Sequence, residues 1–212
     1  MSDDLVFYTT PMSRGRIVRW MLEEVGAPYR AEILEFGRST RSTDYLSVNP
    51  MGKVPAIRHG ETVVTEAAAI CAYLADAFPE AGLAPPHGSR ARGPYYRWMF
   101  FAAGPVEAAT TNKTLGVTVP DDPRMRGMLG YGSLEAVMDA LEGAVSGRDY
   151  ICGDQFTAAD VYVGAHLGWG MAFGTIEKRP AFEAYVARLT GRPAAVRARE
   201  IDDRLLAASQ GG

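Results

Sequence analysis

Apolar residues in the first third of the chain recur at two spacings, and the switching between them predicts an order of elements. Leu5 to Tyr8 is a short apolar run that reads as a strand. Ile17, Val18, Met21, Leu22 and Val25 then recur at intervals of three and four, a helix with Ser13 as its cap and with Gly26 and Pro28 as its stop. Tyr29 to Leu34 alternates apolar and polar positions as a second strand, and Arg38 to Asn49 is polar with room for one short helical turn. Val54 to Arg58 and Thr62 to Val64 predict a hairpin across Gly60. Glu66 to Phe78 predicts a helix with Ala67, Ile70, Cys71, Leu74 and Phe78 on one face. The order βαβ followed by ββα is thioredoxin-like and occupies residues 1–82.

Gly82 to Gly88 is dense in glycine and proline and reads as an inter-domain linker. Residues 89–212 then show helical spacing alone, so the fold class is α/β plus all-α, with a thioredoxin-like N-terminal domain and an all-helical C-terminal domain. Arg90 to about Ala109 predicts a helix rich in aromatics (Tyr95, Tyr96, Trp98, Phe100, Phe101) that Gly104-Pro105 kinks or interrupts. Thr110 to Asp122 reads as loop or fraying helix ends, and Pro123 to Val145 as one long helix with Leu134, Val137, Met138, Leu141 and Val145 on a stripe. Thr157 with Asp160 three residues later is a variant capping box, and Phe156 with Val161 a hydrophobic staple, both structural. Pro180 to Leu189 and Pro193 to Arg199 predict further helices with proline at their starts.

The chemistry concentrates in Asn49-Pro50-Met51-Gly52-Lys53-Val54-Pro55-Ala56-Ile57 and in the Thr65-Glu66 helix start. Proline lowers the trans preference of the bond before it, so Val54-Pro55 can hold a cis peptide. Such a bond would turn the Val54 amide and carbonyl outward, where an extended peptide can pair with them as an added strand. Glu66 lies beside helix N–H groups that favour anions, so its carboxylate can take an ammonium while the amides take a carboxylate. Lys53 offers a point charge for a carboxylate at the far end of the same ligand. Together these groups suit a peptide with an α-amino acid end.

Asn49 to Ile57 followed by an acidic helix start resembles the N-terminal domain of cytosolic glutathione S-transferases. Phe7 to Arg14 with Arg19 to Tyr29 resembles the family's first strand, active-site loop and first helix, and Gly153 to Asp160 its C-terminal capping motif. The resemblance implies that glutathione is bound as co-substrate by Lys53, Val54, Pro55, Glu66 and Ala67. Ala67 departs from the small hydroxyl residue usual there, leaving its backbone amide to bind. The thiol must become a thiolate to be nucleophilic. Lowering its pKa by about two units takes about 2.7 kcal/mol, within reach of one hydrogen bond to the anion, about 1.5–3 kcal/mol. Ser13 leads as that donor, with Tyr8 and Thr10 as the other hydroxyls of the loop. The second substrate implied is a small apolar electrophile, placed against Met12, Tyr95, Trp98, Met99 and Ala102. A homodimer is implied as well.

Composition narrows the remaining classes. Twenty-two basic and 25 acidic residues, net −3, advertise no nucleic-acid surface, and 47% hydrophobic content in 212 residues is ample for a buried core. Met1-Ser2-Asp3-Asp4 lacks the basic and apolar parts of a leader, and no apolar run reaches the roughly 20 residues of a membrane span, so a cytoplasmic protein without membrane association is expected. Cys71 and Cys152 are far apart and form no redox motif, Cys71 reading as core; His59, His87 and His166 are too scattered for a metal, so none is expected. Two readings stand beside conjugation: glutathione-dependent reduction of peroxides or disulfides, and a non-catalytic binding module on the same fold.

Overall fold

In the computed structural model, which describes residues 5–210, Leu5, Val6 and Phe7 are buried because β1 (Leu5–Thr9) is an inner strand of its sheet. Its neighbours are β2 (Arg30–Ile33), parallel to it, and β3 (Ala56–His59), antiparallel. β4 (Thr62–Thr65) pairs antiparallel with β3 at the edge, giving a four-stranded sheet of order β2-β1-β3-β4. Gly60 turns the hairpin with φ of 59°. This is the thioredoxin-like arrangement expected. Residues Met1 to Asp4, on which the reading of the chain's start rests, lie outside the described residues.

Helix α1 (Gly15–Val25) buries Ile17, Val18, Met21 and Leu22, the residues whose spacing predicts it, and ends at Gly26, whose N–H bonds the Leu22 carbonyl at 3.0 Å with φ of 72°. A short 3₁₀ turn (Ser39–Arg41) leads into α2 (Thr43–Val48), capped by Ser42 accepting from the Tyr45 N–H. α3 (Ala67–Ala77) buries Ala67, Ile70, Cys71 and Leu74. Full burial of the larger ones, Ile70 and Leu74, contributes about 1.5–3 kcal/mol each.

The second stretch of the chain forms α4 (Arg92–Phe101), a π-helical turn (Ala102–Val106), α5 (Glu107–Thr114), α6 (Pro123–Met128), α7 (Leu134–Val145), α8 (Ala158–Ala172), α9 (Pro180–Thr190) and α10 (Pro193–Gln210). Pro105 sits inside the π turn, so the missing proline N–H is accommodated by a wider turn rather than by a break, and the helical path continues to Thr114, past the expected end at Ala109. The single long helix expected over Pro123 to Val145 is two helices. Gly132 has φ of 67° and Ser133 caps α7 by accepting from the Ala136 N–H at 3.1 Å, so the chain restarts there. α10 extends well beyond Arg199, its expected end.

The described residues fall into two packing units: one runs to Leu83 and takes back the chain from Gly191, the other spans Ala84–Thr190. α10 thus belongs with the sheet, whereas the expected division placed all of 89–212 together. Within the first unit α1 packs on α10 and α3. Within the second, α8 packs between α4 and α9. Among the described residues no helix is long and apolar enough to cross a membrane.

Asp160 is the polar centre of the second unit and is fully buried. Its Oδ1 accepts from the Ile151 N–H at 2.8 Å and the Tyr185 hydroxyl at 2.7 Å; its Oδ2 accepts from the Thr157 N–H at 2.9 Å and the Thr157 hydroxyl at 3.1 Å. Burial pushes its carboxyl up, and these bonds pull it back. The motif therefore does more than cap α8, since it also ties the 151 turn and α9 to the start of that helix. Asp160→Ala strands these buried donors and is expected to destabilise the protein by at least about 3 kcal/mol. Urea unfolding measures it, and Asp160→Asn, which keeps an acceptor, should lose less.

Candidate active site

The loop after β1 is a small closed hydrogen-bond system. Ser13 Oγ donates to the Thr10 carbonyl at 2.7 Å and accepts from the Gly15 N–H at 2.9 Å. The Thr9 hydroxyl also donates to the Thr10 carbonyl, at 3.3 Å. Arg14 rather than Ser13 is the cap position of α1, a one-residue correction. Ser13 still satisfies a first-turn N–H, from one position further out. Gly15 is required for contact reasons, because a Cβ there would lie 1.9 Å from Thr9 Oγ1. The Arg16 Nε donates to the Pro11 carbonyl at 2.6 Å and closes the loop from the side of α1.

Thr10 is buried, and its hydroxyl has no hydrogen-bond partner among the described residues. An unpaired buried hydroxyl costs about 1–3 kcal/mol, so the loop carries an open valence where activation of a thiol is expected. Tyr8 is half-buried with its ring tilted against Tyr45, centroids 5.6 Å apart. Met12 is half-exposed at the tip of the loop.

The second part of the site is the loop between α2 and β3. Asn49 Nδ2 donates to the Lys53 carbonyl at 2.8 Å, and its Oδ1 accepts from the Met51 N–H at 3.1 Å. The Tyr45 hydroxyl donates to the same Lys53 carbonyl, and burial pushes this phenol up to about 12. Gly52 has φ of 60°, and a Cβ there would sit 2.8 Å from the Thr40 carbonyl oxygen, so no side chain fits. The Lys53 side chain is exposed with no ion pair among the described residues. Val54-Pro55 is cis, the form that its proline permits. The Val54 N–H and C=O make no hydrogen bond within the described residues.

Sheet register brings the two loops together. Tyr8 is paired with Ala56 in the β1–β3 ladder. Continuing that antiparallel register beyond the last pair sets Thr10 level with Val54. Glu66, at the start of α3, has φ of 67° and ψ of 119°, a conformation rare outside glycine, and its side chain is exposed. Such a residue stores about 1–3 kcal/mol of strain. The Ala67 N–H after it is one of the first-turn donors that a helix leaves open.

Other expected site residues are placed differently. Tyr95, Trp98, Met99 and Ala102 are buried in the helical unit, whereas Tyr96 and Phe100 are the exposed aromatics of α4. Burial pushes the Cys71 thiol well above its usual range, and burial followed by the Asp160 charge pushes Cys152 up to about 12. Both shifts favour the protonated thiol over the nucleophilic thiolate. His59 is held structurally, with Nδ1 2.9 Å from the Tyr73 hydroxyl and its ring stacked on Phe78. Tyr45, Asn49, Gly15 and Arg16 are residues the sequence reading gave no role; of these only Asn49 carried a signal, as an Asn-Pro loop start.

Family models for the glutathione S-transferase N-terminal and C-terminal domains match residues 12–77 and 107–188. Glutathione S-transferase GstA of Escherichia coli O157:H7 is 31% identical over 172 residues, covering 80% of this chain and 81% of that protein. A glutathione transferase from Methylococcus capsulatus is similar in structure, with 29% identity, a TM-score of 0.77 and coverage of 94% of this chain and 98% of the other. A sphingomonad glutathione S-transferase solved in complex with glutathione gives 29% identity, a TM-score of 0.74 and coverage of 93% and 98%. With these relatives spanning both units, and with the loop, cis-proline and helix-start geometry in place, the chain belongs to the glutathione S-transferase family.

Proposed function

We propose that the protein is a glutathione transferase that binds glutathione along Lys53 to Ala67 and activates its thiol at the Thr10–Ser13 loop. The observation that carries this reading is the unpaired Val54 main chain, together with a helix start whose cap residue, Glu66, is held in a strained conformation. An extended tripeptide has one main-chain partner in its middle, and Val54 supplies it. The Ala67 N–H and the other first-turn amides of α3 take the γ-glutamyl carboxylate, and the Glu66 carboxylate takes the adjacent ammonium. Lys53 takes the glycyl carboxylate, and Pro55 fixes the path of the chain. That polarity leaves the cysteinyl sulfur level with the first loop.

There the thiol loses its proton to solvent and the thiolate is held by a loop hydroxyl. Ser13 remains the leading donor. Exchanging its neutral acceptor, worth about 1 kcal/mol, for an anion worth about 1.5–3 kcal/mol favours the turn toward sulfur. The thiolate then attacks the electrophilic atom of an apolar substrate, forming the S–C bond as the leaving group departs or the acceptor carbon takes a proton. Met12, exposed at the loop tip, is suited to the apolar side of that substrate. With Cys71 buried and the half-buried Cys152 pushed toward its protonated form, glutathione supplies the reactive sulfur. A cytoplasmic homodimer completes the reading, with the exposed Tyr96 and Phe100 on α4 as a face a second copy can cover.

Titration calorimetry should show glutathione binding at millimolar concentration or below; no heat at that concentration sinks the enzyme reading. Turnover of organic hydroperoxides with little conjugation of aryl halides would instead move the reaction to reduction. Thiolate absorbance of bound glutathione followed against pH separates the donors. Ser13→Ala is expected to raise the thiol pKa by about 1–2 units, a ten- to hundredfold loss of thiolate below the pKa. If Thr10→Val or Tyr8→Phe has that effect and Ser13→Ala has none, the bond comes from that residue instead.

A second pair of variants isolates the strain at Glu66. Glu66→Gly removes the carboxylate and also relieves the backbone, so it should weaken glutathione binding while stabilising the fold by up to about 1 kcal/mol. Glu66→Ala keeps the strain and should weaken binding with no such gain. Equal stabilities of the two variants in urea would refute the strain.

A further inference from the structure

Arg16 joins the loop after β1 to the other end of the sequence. Its Nε donates to the Pro11 carbonyl at 2.6 Å, and its Nη2 lies 2.8 Å from Asp203 Oδ1 on α10. One turn along α1, Arg19 Nε meets Asp202 Oδ1 at 2.7 Å. Successive acids of α10 thus take arginines three apart on α1, one pair buried and one at the rim. The rim pair is screened, with Asp203 57% exposed and Arg16 19%. Such a pair contributes little to folding. What it does fix is direction. A guanidinium is planar and rigid, so holding Nη2 against a carboxylate aims the neighbouring Nε–H at a chosen acceptor.

That acceptor is the carbonyl of Pro11, the residue between Thr10 and Met12. Other bonds in this stretch, from Thr9 and Ser13 to the Thr10 carbonyl and from Gly15 to Ser13, are local. Arg16 brings an anchor from 187 residues away, counting from Arg16 to Asp203 (203 minus 16). We propose that Asp203, acting through Arg16, is a positioning residue for thiol activation, aiming the guanidinium at the Pro11 carbonyl so that the Thr10–Ser13 hydroxyls stay where a thiolate receives its bond. The proposal rests on reading that loop as the thiol site.

Electrostatics alone predicts the opposite sign, which makes the proposal testable. Around the loop stand Arg14, Arg16 and Arg19 as cations and Asp202 and Asp203 as anions. Removing the Asp203 charge leaves a more positive surrounding, which by Coulomb attraction would lower a nearby thiol pKa. A positioning role raises it, because the loop slackens and the hydroxyl bond to sulfur weakens.

The test uses the full chain with Asp203→Asn and Asp203→Glu, reading thiolate absorbance of bound glutathione against pH beside glutathione affinity and thermal unfolding. Expected for Asp203→Asn is a thiol pKa higher by about half to one unit, three- to tenfold less thiolate below the pKa, with affinity and unfolding close to the wild type. Asp203→Glu should return the wild-type value. A thiol pKa unchanged or lowered in Asp203→Asn overturns the positioning role while leaving the transferase reading intact. A wild-type protein that binds no glutathione overturns both.

Discussion

Enclosing an arginine behind the first strand is the constraint on which the glutathione-binding unit depends. Arg19 is 1% exposed, its guanidinium lies 5.2 Å from the centre of the Phe7 ring, and its charge is answered by Asp202, equally buried. Nη1 reaches the Tyr29 hydroxyl at 3.1 Å, which in turn donates to Glu23 at 2.9 Å. Burial pushes the Asp202 carboxyl up and the arginine pulls it back. The pair is imperfect, since Arg19 Nη2 and Asp202 Oδ2 find no partner among the described residues. Net stability is a poor explanation of such a contact, because desolvating two charges offsets most of their attraction. Specificity is a better one. With Asp202 displaced, an unpaired charge remains in the core, so α10 has one favourable register on α1.

The consequences run outward from that register. α1 fixes Gly15, and Gly15 allows the loop to close on Thr9. α10, once seated, presents Asp203 beside Arg16, and Arg192 makes a bidentate pair with Glu24 at 2.7 and 2.8 Å toward the other end of α1. The helix is thereby pinned along its length by a partner from the far end of the chain. The Asn49–Val54 loop is fixed by a different device, a carbonyl of Lys53 shared by Asn49 and Tyr45 with Gly52 fitted under Thr40. Tyr45 also packs on Tyr8, so the two devices meet at the end of β1.

Legibility in the sequence followed the range of the interactions. The cis-proline loop, the acidic helix start and the capping residues are set by neighbours within a few positions, so their residue types announce them. Ser13 was legible as a helix-start residue but missed by one position, because its bond to the Thr10 carbonyl depends on how the loop folds back. The break between α6 and α7 was announced by Gly130, Gly132 and Ser133, yet the apolar stripe after Leu134 and the proline at 123 suggested one continuous period. In α4 the spacing of Tyr95, Trp98 and Met99 showed a buried face and could not say whether that face is core or pocket. Asp202 and Asp203 looked like any charged turn of an exposed helix. Their partners lie near residue 16, and nothing local distinguishes a carboxylate facing water from one facing an arginine.

The proton inventory of the first loop connects this architecture to chemistry. Without ligand, Ser13 and Thr9 both spend their hydroxyl protons on one carbonyl, and Thr10 has no partner for its own. A carbonyl has two lone pairs, so losing one of two hydroxyl donors to an incoming anion leaves it still bonded. The loop can therefore release the Ser13 proton toward a thiolate without stranding the backbone. The Gly15 N–H keeps pointing at Ser13 Oγ as this occurs, and a hydroxyl that accepts a hydrogen bond is a better donor through mutual polarisation. Position and polarisation act on the same oxygen, so in the proposed site the anchoring of this loop adds to the Ser13 hydroxyl in setting how far the thiol pKa can fall.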